Sequence, residues 1–140
     1  MGYRRMRTLL DLQLARDLSR DSNLSESDYD VLSTLSEVPE QTWRSSDLAD
    51  RLSWSTSRLA HHVGRMEHRG LVIRDDCEDD RRGAFISLTD AGKGVLDRAA
   101  PLHVASVRRN LFDLLAPEDV RALAAISTKV TNHLNQKTQS

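Results

Sequence analysis

The predicted order of elements over residues 41–89 constrains the fold of this chain more than any other feature of its sequence. A short helix over residues 47–52 is followed by a tight break at 53–54, and a longer helix then covers residues 55–69. Gly70 stands where a left-handed residue ends a helix at little cost. Short helix, break, longer helix and β-hairpin form the order of a helix-turn-helix with a wing.

The hairpin is predicted from two short apolar segments that flank a charged one. Residues 71–74 and 84–88 are rich in Leu, Val, Ile and Phe, which favour strands when turn residues flank them. The connecting residues 75–83 carry five acids beside two adjacent arginines. We therefore expect a β-hairpin with a polar tip, which is the wing of the motif.

Helices with one apolar face flank this central part on both sides. In residues 3–20, apolar side chains recur at the spacing of about 3.6 residues that defines one helix face. Ser25 can cap the free N–H of Asp28 at the start of the next helix, and Val38 with Pro39 should stop that helix.

Two further helices follow the hairpin. Thr89 can cap the first, which contains Pro101, where we expect a kink or a change of axis. Pro117 at a first helical position, with two acids in the same turn, begins the second. The predicted fold is mainly α with a small β-hairpin wing: a winged helix-turn-helix with N- and C-terminal helices.

The length of 140 residues fits one domain. We divide it into a winged helix-turn-helix part, residues 27–89, and a helical dimerisation part, residues 1–22 and 90–140. The terminal helices carry apolar stripes, whereas the winged middle supplies a small core of its own. A homodimer joined by these helices would cover the stripes. Packing of the helices on the core of the same chain is the alternative.

Composition is that of a globular protein without a membrane span. Charged residues make up 29% and hydrophobic residues 39% of the sequence. No apolar run approaches the roughly 18–20 residues that cross a bilayer, and the basic N-terminus lacks the apolar segment of a signal peptide. One cysteine, Cys77, excludes a disulfide within the chain and suits a reducing compartment. We therefore expect a cytoplasmic protein.

Positive charge is concentrated on the second helix of the motif, although the formal net charge of the chain is −1. Seventeen of the 20 cationic residues are arginine, and residues 51–74 hold five arginines against the single acid Glu67. An ordinary solvated helix would mix its signs as i,i+4 pairs. Leu59, Val63 and Met66 should face the core, and the polar residues should face outward. The candidate contacts to double-stranded DNA are Ser55, Thr56, Ser57, Arg58, His61, His62 and Arg65.

These residue types suit a helix that enters the major groove. Hydroxyl groups and backbone N–H groups bind phosphates, and an arginine fork on guanine O6 and N7 is worth about 1–3 kcal/mol of discrimination. Imidazoles can donate to base acceptors or phosphates. A merely solvated face is the alternative, above all for Arg65, which can instead complement the dipole at the helix end.

The hairpin tip supplies a second set of candidate DNA contacts, Asp80, Arg81 and Arg82. A cation on a tight turn suits a narrow minor groove, where the negative potential is enhanced. Asp80 can hold an arginine in position by a charge-assisted pair. A solvated turn is the alternative, because the surrounding acids would repel phosphate unless they point away.

Four segments carry a resemblance to a known family. They are Leu-Ala-x-x-Leu at 48–52, Arg-Met-Glu-His-Arg-Gly-Leu-Val at 65–72, Asp-Arg-Arg-Gly-Ala at 80–84 and Leu-Thr-Asp-Ala-Gly at 88–92. With the flanking helices, the chain resembles the MarR (multiple antibiotic resistance regulator) family. The resemblance implies a homodimeric transcription factor, usually a repressor, that binds a pseudo-palindromic operator. It places the Asp-x-Arg of the family's wing on Asp80 and Arg82, and the recognition helix on residues 55–68.

The resemblance also implies regulation. Many members of the family release DNA when a small, often aromatic, ligand binds or when a cysteine oxidises. No residue of this chain can be assigned to such a ligand, and Trp54 can either line a pocket or fill the core. Cys77 lies between acids that disfavour its thiolate, so we expect an incidental thiol rather than a redox switch.

Enzymatic and metal-binding functions find no support in the sequence. His61, His62 and His68 lack the i,i+4 spacing of a helical metal site, and no serine lies in a Gly-x-Ser-x-Gly elbow. We expect no catalytic residue, no metal and no cofactor. A winged-helix module for protein–protein contact, without specific DNA binding, is the remaining alternative. Salt separates the two, because only DNA binding should weaken steeply as ionic strength rises.

Overall fold

The computed structural model describes residues 2–76 and 84–139 and contains the predicted elements with one additional strand. The helices are α1 (Gly2–Ser22), α2 (Glu26–Leu35), α3 (Ser45–Leu52), α4 (Thr56–His68), α5 (Asp90–Asn110) and α6 (Pro117–Gln139). The strands are β1 (Thr42–Arg44), β2 (Val72–Asp76) and β3 (Ala84–Leu88), and a 3₁₀ turn covers Phe112–Leu114. The prediction of a mainly helical winged helix-turn-helix is confirmed.

The three strands form one antiparallel sheet in the order β1–β3–β2. Strand β3 pairs with β2 on one side, with Val72 opposite Leu88, and with β1 on the other, with Thr42 opposite Ser87. The hydroxyl oxygens of Thr42 and Ser87 are 2.9 Å apart. The sequence did not predict β1, because three half-buried residues show no alternation of buried and exposed side chains.

The predicted start of α2 is confirmed. Ser25 Oγ accepts a hydrogen bond from the N–H of Asp28, and Asp28 Oδ2 accepts one from the N–H of Ser25, both at 3.0 Å. This reciprocal capping box satisfies two backbone donors that the helix leaves free. The predicted ends were less accurate: α1 continues to Ser22, and α2 already ends at Leu35.

The start of α5 is joined closely to the end of α4. Thr89 Oγ1 accepts from the N–H of Gly92 at 2.9 Å and donates to the carbonyl oxygen of Gly70 at 2.7 Å. Gly70 has the predicted left-handed conformation, with φ 78°. A Cβ atom on Gly92 would overlap the carbonyl oxygen of Leu71. Helix α5 then continues without interruption through Pro101.

The chain divides into two compact units. Residues 15–103 contain α2, α3, α4 and the sheet, and every apolar residue that the described chain buries lies among them. The second unit, residues 2–14 and 104–139, contains the start of α1, the end of α5 and α6. Large apolar side chains are exposed in it, including Leu9 at 50% and Leu114 at 75%.

Candidate nucleic-acid interface

Helix α4 is anchored by the apolar face that the sequence predicts. Leu59, Val63 and Met66 are at most 2% exposed. Ser55 is the N-cap, and its Oγ accepts a hydrogen bond from the N–H of Arg58 at 3.1 Å. Because this oxygen already accepts the capping hydrogen bond, Ser55 can contact a phosphate only by donating its hydroxyl proton.

The opposite face of α4 is exposed and carries small or basic residues. At about 100° per residue, the positions furthest from the buried face are Ser57, His61, Gly64 and His68, and all four are exposed. A Cβ atom on Gly64 would meet nothing within 4 Å. His68 was not among the predicted contacts, although its distance of seven residues from His61 places it two turns further along the same face.

Arg58 lies at the side of this exposed face, where Trp54 orients it. The guanidinium carbon of Arg58 is 4.1 Å from the centre of the Trp54 ring, which is a cation–π contact. A guanidinium nitrogen also approaches Ser27 Oγ on α2 at 3.4 Å. Trp54 is half-buried and packs against the core. Arg58 is therefore exposed to a partner while its side chain is held on a rigid support.

The prediction that His62 faces outward is wrong. Its exposure is 7%, because position 62 falls on the same helix face as Met66. His62 Nε2 lies 2.9 Å from Asp28 Oδ1, a close contact that lacks the angles of a well-directed hydrogen bond. His62 Nδ1 lies 3.2 Å from an Arg65 guanidinium nitrogen, and the ring meets Trp54 edge-on at 5.5 Å between centroids. His62 thus lies at the contact between α4 and α2.

The environment of His62 favours the neutral imidazole. Burial lowers the pKa of His62 below its ordinary value; the Asp28 carboxylate opposes this, while the guanidinium groups of Arg65 and Arg58 add to it. In the tautomer with hydrogen on Nε2, that hydrogen lies beside Asp28, and the lone pair on Nδ1 accepts from Arg65.

Asp28 is the charged centre of this contact between α2 and α4. Its Oδ2 accepts hydrogen bonds from Arg69 Nη1 and from the N–H of Ser25, both at 3.0 Å. Burial alone would raise the pKa of Asp28, but the hydrogen bonds from Ser25, the adjacent His62 ring and the charge of Arg69 outweigh it and lower that pKa. Arg69 also donates to the carbonyl oxygen of Asn23 at 3.1 Å. The end of α4 is thereby fixed to the start of α2.

A cavity of about 290 Å³ lies between the first half of α4 and part of the sheet. Apolar side chains line it together with the hydroxyl groups of Ser45, Thr56 and Ser57 and the side chain of Arg74. Arg74 Nε lies 3.2 Å from Asp76 Oδ1, and the Arg74 N–H donates to Glu67 on α4 at 3.1 Å. Arg74 is an exposed cation next to α4 that was not among the predicted DNA contacts.

The predicted wing contacts Asp80, Arg81 and Arg82 lie outside the described residues, as does Cys77. The strands that carry them are described. Asp76 at the end of β2 pairs with Ala84 at the start of β3. Residues 77–83 lie between these two positions in the sequence.

The described residues, 2–76 and 84–139, contain no group of three His, Cys, Asp or Glu side chains with the arrangement to hold a metal ion. In the same part of the chain, no helix combines the length and the apolar character needed to cross a membrane.

The sequence of this chain is similar to those of known transcriptional regulators. The sequence profile of the MarR family matches residues 24–83. The chain is 31% identical to the HTH-type transcriptional regulator PecS of Dickeya dadantii (strain 3937) over 134 residues, which cover 93% of this chain and 78% of PecS.

Two crystal structures of proteins from Streptomyces coelicolor are also similar. AbsC, a MarR family transcriptional regulator, is 42% identical with a TM-score of 0.88, over 96% of this chain and 90% of AbsC. Sco3205, a MarR family regulator solved in complex with DNA, is 41% identical with a TM-score of 0.88, over 95% of this chain and 84% of Sco3205. The similarity covers the flanking helices as well as the winged part.

Proposed function

This chain belongs to the MarR family of transcriptional regulators, and we propose that it binds duplex DNA as a homodimer through α4 and the wing. This proposal rests mainly on the exposed face of α4. It offers hydroxyl, imidazole and guanidinium groups, and the only acid in residues 55–69 is Glu67, whose carboxylate accepts from the N–H of Arg74. Such a surface suits phosphate oxygens and the acceptor edge of guanine.

The DNA-binding part is residues 27–89, and its contacts fall into two groups. Helix α4 enters the major groove, where Arg58 and Arg65 contact guanine edges or phosphates. The wing enters the flanking minor groove, with Arg82 inserted and Asp80 orienting it. The remaining proposed contacts are Ser55, Thr56, Ser57, His61 and Arg81.

The exposed apolar residues of helix α6 favour a second copy of this chain as the partner that packs against the terminal helices. Every residue from 124 to 137 is exposed in the described chain, and Ile126, Val130 and Leu134 follow one another at i,i+4 on it. A row of solvent-exposed apolar side chains indicates an interaction surface. Most helices in proteins also depend on packing against a partner for their stability. Residues 1–22 and 90–140 form the dimer interface. Two α4 helices then meet the half-sites of a pseudo-palindromic operator.

Regulation follows the pattern of the family. The protein acts in the cytoplasm as a repressor, carries out no catalysis, and releases its operator when a small aromatic ligand binds. A cavity of about 360 Å³ between the end of α1 and α5 is a candidate for this ligand. Arg20 and Arg98 line it beside the apolar Val95 and Leu102, so an aromatic carboxylate would meet both a charged and an apolar wall.

Salt titration of binding to an operator duplex tests the proposal. The logarithm of the association constant should fall with the logarithm of salt concentration, with a slope of about −0.9 for each phosphate neutralised. Arg82→Ala should weaken binding about tenfold and leave the protein folded. Arg51→Ala is the matched control, because Arg51 pairs with Glu37 at 2.8 Å on an exposed surface. Binding that is insensitive to salt and to Arg82→Ala would instead indicate the protein-contact module.

A further inference from the structure

The buried contact between α2 and α4 ends at a proposed DNA-binding arginine, and we infer that Asp28 and His62 are positioning residues that orient Arg65 for its contact with DNA. This role presupposes that α4 contacts DNA, as proposed above. Neither residue touches DNA itself, because each is only 7% exposed.

A continuous series of polar contacts leads from the interior to the surface. Asp28 is fixed at the start of α2 by the N–H of Ser25, and its other carboxylate oxygen lies 2.9 Å from His62 Nε2. The opposite ring nitrogen of His62 lies 3.2 Å from the guanidinium of Arg65, which is exposed. The position of the Arg65 guanidinium is therefore set from inside the molecule.

Arg69 balances the charge of Asp28, so that this series of contacts does not require a protonated His62. Its guanidinium lies 3.0 Å from Asp28 Oδ2 and balances the carboxylate charge. His62 can then remain neutral and keep a lone pair on Nδ1 for Arg65. A protonated His62 would have no such lone pair, and its charge would repel both Arg65 and Arg58.

Open space on one side of Arg65 limits how far packing can restrain its side chain. A cavity of about 330 Å³, lined by Arg65 together with Asp28, Met66 and Arg69, leaves open space beside its side chain. A long side chain loses up to about 2 kcal/mol of rotamer entropy when binding immobilises it. Holding Arg65 in place beforehand reduces that cost, which is the general benefit of preorganisation.

Stability alone does not account for a histidine at position 62. The position lies on an apolar helix face, beside Met66 and Val63, where an aliphatic side chain would be buried without a polar partner. Replacing buried ion pairs by apolar residues is often neutral or stabilising. The imidazole does what an aliphatic side chain cannot, because it presents a directed acceptor beneath Arg65.

A double-mutant cycle on operator affinity tests the positioning role. His62→Phe keeps an aromatic ring against Trp54 and removes both nitrogens, and Arg65→Ala removes the cation. Each variant of the full-length protein should weaken binding about tenfold, and the double variant should bind about as weakly as either single one, far from the product of the two effects. Ser57→Ala, on the exposed face away from the imidazole, should combine with His62→Phe multiplicatively.

The dissociation constants are measured by fluorescence anisotropy at one salt concentration, with urea unfolding to confirm that each variant is folded. Multiplicative effects of His62→Phe and Arg65→Ala, or no effect of Arg65→Ala, would overturn the positioning role. Failure of the wild-type protein to bind any duplex would overturn the proposed function instead. If His62→Phe does not fold, Asp28→Asn takes its place in the same cycle with Arg65→Ala, with the same expected coupling.

Discussion

The neutral state of His62 links the stability of the protein to pH. Burial, aided by nearby guanidinium groups, lowers the pKa of His62 in the folded state, whereas the same group in the unfolded chain titrates near pH 6.5. The unfolded state therefore binds more protons below that pH, and the free energy of unfolding falls as pH drops. Asp28, whose pKa is lowered, contributes stability that is lost only in more acidic solution, below about pH 4.

Urea unfolding across pH measures this effect. The wild-type protein should lose stability as pH falls below about 6.5, and His62→Phe should lose less because it lacks the buried imidazole. His61→Gln is the control, since His61 is exposed and its removal should leave the wild-type profile unchanged. Equal pH profiles for His62→Phe and the wild type would contradict a neutral, buried His62.

The wrong prediction for His62 shows that the burial of a single polar residue can depend on a partner that the local sequence does not reveal. The spacing of Leu59, Val63 and Met66 defined the buried face correctly, and His62 lies on that face by the same helical geometry. Its polarity suggested solvent, because a histidine is buried only when a partner satisfies it. That partner, Asp28, lies on another helix, and no local pattern connects the two positions.

Among the elements, the junction between α4 and α5 depends on one glycine. A Cβ atom at Gly92 would overlap the Leu71 carbonyl oxygen and approach a Leu88 methyl carbon at 3.0 Å. Gly92→Ala should therefore destabilise the protein by about 1–3 kcal/mol, since backbone rather than a flexible side chain must move. The midpoint of urea unfolding measures the change.

Gly94→Ala is the matched control on the same helix. A Cβ atom there would meet only the end of the flexible Arg98 side chain, at 3.4 Å. Because alanine has the higher helix propensity, this variant should be neutral or more stable by up to about 1 kcal/mol. A Gly92→Ala protein as stable as Gly94→Ala would contradict the close approach of α5 to Leu71.

Elements with local signals were predictable, and elements that depend on distant pairing were not. Ser25, Ser55 and Thr89 cap helices by contacts within three residues, and Gly70 ends α4 through its own backbone conformation. Strand β1 exists only through its pairing with β3, more than 40 residues later in the chain. The alternation that identifies longer strands is absent from it.

At the scale of the whole molecule, charge does not by itself direct this protein to DNA. Residues 15–103 contain twelve Arg and Lys against seventeen Asp and Glu, whereas residues 1–14 and 104–140 contain eight against four. The part that holds α4 is thus acidic overall, although α4 itself carries two arginines, Arg58 and Arg65, and only one acid, Glu67. Local placement of these cations, rather than the net charge, must provide the attraction to phosphate.

Selection of bound sequences from random duplex DNA tests the central claim most directly, because it reports both recognition and symmetry. If two copies of this chain present paired α4 helices, the purified protein should enrich a pseudo-palindrome whose half-sites lie about 10–10.5 base pairs, or a multiple of this, apart from centre to centre. Recovery of a single unpaired half-site, or no enrichment over the starting pool at low salt, would contradict the account.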